Sequence, residues 1–112
     1  MNIRQLSENL AVCAQITTAD LDAIAQMGFK TIINNRPDGE ELGQPCHADI
    51  AAKANALGLT IHHLPLRSGQ PPSDALLLQF KQVMDLADKP ILAFCRSGTR
   101  SGHLFQGACA LG

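Results

Sequence analysis

The chain has no tryptophan, no tyrosine and only four phenylalanines among its 112 residues. Aromatic platforms on which nucleic-acid bases stack are therefore not expected. Nine Lys and Arg against ten Asp and Glu leave a net charge of −1, so a basic footprint for nucleic acid is missing as well. No apolar run approaches the roughly 18 residues that a membrane span requires. Met1 to Asn9 lack the apolar stretch of a secretory leader, which makes the cytoplasm the expected setting. There is no C-x-x-C pair, so neither a zinc knuckle nor a thioredoxin-type site is expected. The cysteines at 13, 46, 95 and 109 read as reduced thiols, with Cys13 and Cys109 as small buried hydrophobes. No metal and no cofactor is expected. What remains is 46% hydrophobic and 17% charged, the composition of a folded chain, and its length fits one domain over residues 1–112.

Strand and helix patterns alternate along that length. Leu10–Cys13 reads as an entry strand. Thr17-Thr18-Ala19-Asp20 opens a helix with a Thr cap and an acid three residues on, and Gly28 closes it. Phe29–Asn34 is a β-branched strand, followed by the polar loop Asn35–Glu41. A helix from about Cys46 to Leu57 leads to Leu59–Leu64, expected as a third inner strand. Ser73 caps a helix whose Leu76, Leu77, Phe80, Val83 and Met84 share one face. Ile91–Phe94 is apolar throughout, the mark of a strand buried on both faces. The loop Cys95–Ser101 and a last helix complete the chain. The pattern predicts an α/β fold, a mostly parallel central sheet flanked by helices. Ligands bind at the C-terminal ends of such strands, so loops 34–41, 65–72 and 95–101 are expected to converge.

The loop Cys95-Arg96-Ser97-Gly98-Thr99-Arg100-Ser101 carries the chemistry. Small residues between a buried strand and a helix N-terminus let backbone N–H groups turn inward as an anion nest. A thiol in that field ionises readily: an ordinary Cys near 8.5 can fall to roughly 3.5–7.5. Cys95 is the expected nucleophile. Arg100 supplies a planar fork for an oxyanion, and Arg96, Ser97, Gly98 and Thr99 complete the cradle. Ser101 either caps the helix or donates its hydroxyl to the Cys95 sulfur.

Four blocks carry a family resemblance: Leu6–Leu10 with Ala14–Ile16, Ile33–Glu41, His63–Leu66 and Cys95–Ser101. Together they resemble the phosphatase-like domain of the beta-lactamase hydrolase-like proteins. That resemblance implies a dual-specificity-phosphatase-like fold over nearly the whole chain. The His-x-His-x-Asp-His metal motif of the hydrolase part is missing here, so a hydrolase domain enters only as an implied partner.

Two chemistries compete for the Cys loop. Protein tyrosine phosphatases place His before the Cys and five residues between Cys and Arg; here Phe94 precedes Cys95 and four residues separate it from Arg100. The loop also resembles the Cys-Arg-x-Gly-x-Arg-Ser of rhodanese-type sulfurtransferases. Phosphatases need a general acid, and Pro65–Gly69 offers no Asp. Asp38 can take that part if its loop folds over Cys95; otherwise it is a Pro-Asp-Gly turn residue. The expected first reading is sulfur transfer from thiosulfate or a persulfide through a Cys95 persulfide to a thiol acceptor. The alternatives are a phosphatase acting on a phosphate ester through a phosphocysteine, and a silent phosphate- or sulfate-binding module. Arg36 and Arg67 either help bind the anion or hold their loops, Arg36 through Glu40 or Glu41. Adjacent His62 and His63 in a strand face opposite sides and cannot share a metal.

Overall fold

A computed structural model describes residues 1–111. Five strands form one sheet in the order β1-β2-β5-β3-β4. They are β1 (Arg4–Gln5), β2 (Leu10–Cys13), β3 (Thr31–Asn34), β4 (Thr60–His63) and β5 (Ile91–Phe94). β2, β5, β3 and β4 run parallel, and β1 pairs antiparallel with β2. The helices are α1 (Asp20–Gln26), α2 (His47–Ala56), α3 (Asp74–Leu86) and α4 (Thr99–Ala110). The α/β expectation is met.

The alternation of side chains along a strand divides the core into two layers. Leu92 and Phe94 of β5 join Ile16, Leu21, Ile24 and Ile50 on the face covered by α1 and α2. Ile91 and Ala93 join Leu10, Val12, Ile33, Phe80 and Leu104 on the face covered by α3 and α4. All four residues of β5 are buried, because it lies between β2 and β3 with a helix layer on each side. On α4, a Cβ added to Gly107 would come within 2.6 Å of Leu77 Cδ2, so glycine lets α3 and α4 approach.

The helix signals hold locally. Ser73 Oγ accepts from Leu76 N at 3.1 Å. Thr17 and Asp20 bond reciprocally, with Thr17 N donating to Asp20 Oδ2 at 2.9 Å and Asp20 N to Thr17 Oγ1 at 3.3 Å. That turn precedes the helix, which begins at Asp20.

Three expectations are corrected, and one strand was not foreseen. β4 is an edge strand with Thr60 exposed, because β3 already has β5 on its other side. β1, two exposed residues, has no apolar alternation to betray it. The Cys loop ends at Gly98, and Arg100 and Ser101 lie in the first turn of α4. Cys109 is exposed, since Leu104 and Ala108 fill the inward face of α4.

Candidate functional site

Cys95 follows β5 directly and has no exposed surface. Gly98 N donates to its Sγ at 3.0 Å. Burial is the largest influence on this thiol and pushes its pKa up, but opposing contacts prevail and hold it below the ordinary value. Those contacts are the backbone N–H groups of Ser101, Ser97 and Gly98 and the Ser101 hydroxyl. Cys13, the neighbouring thiol on β2, has no such donors: burial first, then the negative charge of Asp20 and Cys95, pushes it up to about 12. One sheet therefore holds two buried thiols with opposite tendencies, and the difference is the ring of donors around Cys95.

The ring depends on Gly98, which has φ +91°. A Cβ there would lie 3.3 Å from the carbonyl carbon and oxygen of Cys13. Only glycine meets both demands, a left-handed turn and close approach to β2. Gln15 N, donating to Arg96 O at 3.3 Å, ties the loop to the segment after β2.

The three expected loops converge. Arg36, Glu40, Ser68, Arg96 and Arg100 line a cleft of about 200 Å³. Beside it a cleft of about 850 Å³ runs between Leu66 with residues 68–72 and the Arg96, Ser97, Thr99, Arg100 and His103 side. Ser97 and Thr99 face this larger space, their hydroxyls 3.1 Å apart. Arg96 is the exposed cation of the mouth: its side chain is 68% exposed, and its ion pair to Glu41 spans 3.8 Å.

Glu40 organises the remaining charge. Its Oε1 accepts from Arg36 Nε at 2.8 Å and Arg100 Nη2 at 2.9 Å, and its Oε2 accepts from Arg100 Nη1 at 2.8 Å. The Arg100 bonds lead in holding the Glu40 carboxyl down to about 2. Arg100 Nη1 also donates to Leu66 O at 2.9 Å. Arg100 thus faces the Cys95 sulfur with its fork fixed by a carboxylate and a carbonyl.

Three expected site residues do other work. Arg36 is buried with every arm committed: Nε to Glu40, Nη1 to Gln15 Oε1 at 3.1 Å and Nη2 to Glu41 at 2.9 Å. It holds its loop and is not a free anion binder. Asp38 Oδ1 accepts from His47 N at 2.8 Å, so its carboxylate caps the start of α2. Arg67 is exposed and lines neither cleft, although Ser68 to Gln70 beside it do line the larger one.

Sequence reasoning missed Asn35, Glu40 as the Arg100 partner, and the histidine pair. His47 and His63 stack with centroids 4.1 Å apart, and His63 Nε2 bonds to Arg36 O at 2.9 Å. Burial, with His63 second, holds the His47 pKa below its ordinary value. No sequence spacing brings positions 47 and 63 together; only the return of β4 beside the start of α2 does. Among the described residues no group of three or more His, Cys, Asp or Glu could hold a metal. No helix among them is long and apolar enough to cross a membrane.

Comparisons with known proteins agree with this architecture. The family described as "Beta-lactamase hydrolase-like protein, phosphatase-like domain" matches residues 2–111. The beta-lactamase hydrolase-like protein of Agrobacterium fabrum is 37% identical over 105 residues, 94% of this chain and 24% of that protein. Its counterpart from Xylella fastidiosa is 33% identical over the same shares. The chain spans about a quarter of the length of these curated relatives. A candidate phosphatase of Neisseria meningitidis superposes with a TM-score of 0.86 at 42% identity, covering 94% of this chain and 74% of that one. The catalytic domain of the PP-IP phosphatase Siw14 of S. cerevisiae gives a TM-score of 0.73 at 17% identity, over 93% of this chain and 62% of that one, and shows the fold alone. The fold is the phosphatase-like fold that these solved structures share. With the match running from residue 2 to residue 111, this chain belongs to the family of phosphatase-like domains of the beta-lactamase hydrolase-like proteins.

Proposed function

We propose that the protein is a phosphatase-type enzyme acting on a small phosphate ester with Cys95 as its nucleophile. This reverses the order expected from the loop alone, where sulfur transfer led; family and fold favour phosphate. The observation that carries the reading is the convergence of the Gly98, Ser97 and Ser101 N–H groups on a buried sulfur beside the Arg100 guanidinium. The thiolate attacks phosphorus, an S–P bond forms and the ester P–O bond breaks. The departing oxygen takes its proton from water. A second water then attacks the phosphocysteine, the S–P bond breaks, and phosphate leaves with the thiolate restored. The loop N–H groups and Arg96 stabilise the charge that develops on the phosphoryl oxygens, while Arg100, its fork held by Glu40, adds positive charge beside the sulfur. A thiol nucleophile needs a reducing compartment, so the reading places the protein in the cytoplasm. The relatives, about four times longer, suggest a hydrolase domain as the neighbour with which such a site works.

One observation keeps sulfur transfer as a second reading: among the described residues, the carboxylates of the mouth and its loop, Asp38, Glu40 and Glu41, are all engaged in hydrogen bonds. Asp38 caps α2, and Glu40, held near 2, stays ionised between two arginines. Sulfite leaving from thiosulfate needs no proton. The test is a side-by-side assay. The phosphatase reading expects hydrolysis of p-nitrophenyl phosphate that vanishes with Cys95→Ser, and no stable mass gain on Cys95 from thiosulfate. A reductant-sensitive gain of one sulfur atom without phosphate release would overturn it in favour of the second reading.

A further inference from the structure

Ser101 and Asn35 are both fully buried, one in the first turn of α4 and the other just past β3. The Ser101 hydroxyl donates to Asn35 Oδ1 at 2.8 Å. The orientation of that amide is fixed from its other end, because Asn35 Nδ2 donates to Leu64 O at 2.8 Å. The Asn35 backbone is also pinned: its N–H donates to Phe94 O at 2.8 Å, and its carbonyl accepts from Leu66 N at 2.9 Å. The side chain of Asn35 is thus a rigid acceptor aimed at a single hydroxyl. The same hydroxyl is among the groups that hold the Cys95 thiol below its ordinary pKa. A serine hydroxyl has one proton, so it cannot serve both acceptors at once.

We propose that Asn35 is a positioning residue whose amide oxygen competes with the Cys95 sulfur for the one hydroxyl proton of Ser101. When the sulfur is protonated or carries a transferred group, the O–H bond points to Asn35. When the sulfur is a thiolate, a charged and therefore stronger acceptor, the O–H bond turns to it. No proton changes owner; one bond rotates. Asn35 then keeps the covalent state from leaving a buried hydroxyl unpaired, and it limits how far the donor ring stabilises the thiolate. That limit matters because nucleophilicity falls as a thiol's pKa falls. The inference rests on Cys95 as the reactive thiol, whichever group it accepts.

The test is a double-mutant cycle of Asn35→Ala and Ser101→Ala, read as the pH midpoint for alkylation of Cys95 by iodoacetamide. Mass spectrometry of the peptide holding Cys95 separates it from Cys13, Cys46 and Cys109. The other titratable and charged groups facing the sulfur are Arg100 from α4 and Cys13 from β2, and both stay in place throughout. Ser101→Ala should raise the midpoint. Asn35→Ala should lower it by about half a pH unit or more, the equivalent of one neutral hydrogen bond. In the Ser101→Ala background, Asn35→Ala should have no effect, because Asn35 acts only through that hydroxyl. A midpoint that rises with Asn35→Ala, or shifts equally in both backgrounds, would reduce Asn35 to a link between strand ends. If the alanine variant fails to fold, Asn35→Asp serves the same cycle: its upward shift must shrink when Ser101 is absent, and an equal shift refutes the proposal. Alkylation needs no turnover, so the absence of phosphatase activity leaves this outcome readable.

Discussion

Glu40→Gln tests the charge network with the least change of shape. Glu40 receives three charge-assisted hydrogen bonds, one from Arg36 and two from Arg100. A glutamine keeps at most two of these, now to a neutral oxygen, and sets its NH₂ against Arg100 Nη1. A hydrogen bond to a charged group contributes roughly 1.5–3 kcal/mol and a neutral one about 1. Losing one bond and weakening two sums to about 3–5 kcal/mol. The Glu40 side chain is 20% exposed and borders a cleft that admits water, so screening brings the expected loss to about 2 kcal/mol. For a domain of this size that lowers Tm by roughly 8 °C. The pH dependence follows from the depressed carboxyl. Its folded pKa, about 2, lies below the ordinary 4.5, so its contribution is complete above pH 4.5 and disappears as pH falls towards 2. Urea titrations of both proteins at pH 7, 5, 4 and 3 should show a constant gap down to about pH 5 that then narrows. A gap unchanged between pH 7 and 3 would mean that glutamine is disfavoured for its shape, and the electrostatic argument would fail.

Three further outcomes are expected. Cys95→Ser should abolish turnover and leave the unfolding midpoint within about 1 kcal/mol of the native protein, because a hydroxyl stays protonated where a thiol ionises; retained activity would move the chemistry to another residue. Gly98→Ala should cost about 1–2 kcal/mol by the strain of a left-handed residue and raise the alkylation pH midpoint of Cys95 as the donor ring opens; a fully active, equally stable variant would refute the tight approach to Cys13. Asp38→Asn should leave turnover intact, since an amide oxygen also caps α2, while Asp38→Ala should lose about 1 kcal/mol of stability; a 10²–10⁴-fold loss of kcat with Asp38→Asn would restore the general-acid role.

The legible parts of this sequence are those fixed by neighbours along the chain. Ile91–Phe94 announces a central strand because each of its side chains must find a dry layer. Ser73 announces α3 because its cap bond spans three residues. Cys95, Gly98 and Arg100 announce an anion loop because nest, dipole and cations share six positions. What was illegible depends on pairings across the sheet. The place of β4 at the edge follows from strand order, which no local pattern encodes. Glu40 and Arg100 are sixty positions apart, and Asn35 and Ser101 sixty-six. Asp38 misled for a related reason: a Pro-Asp-Gly turn offers a carboxylate to whatever lies near, and the nearest unpaired donor is His47 N, at the start of the next helix.

The same distant pairings bear on which bond the site can break. Three guanidiniums and two carboxylates surround the mouth, and Glu40 already fills the fork of Arg100. The donors left for an incoming anion are then the loop N–H groups and the exposed Arg96. Cys95 has no exposed surface, so the anion reaches it only when mouth side chains move, and the Arg100–Glu40 pair is held in place by side-chain bonds on the Glu40 side. Glu40, ionised and shared, has no proton to give the departing atom. On the proposed reading the donor ring favours attack by the thiolate, while departure is left to the leaving group's own stability. An aryl phosphate with an acidic phenol should turn over, and one with a weakly acidic alcohol should be slower by much of the 10²–10⁴-fold that a placed acid supplies. Phosphoryl transfer and sulfur transfer begin with the same attack at Cys95; they differ in whether the departing atom needs a proton that this mouth does not hold.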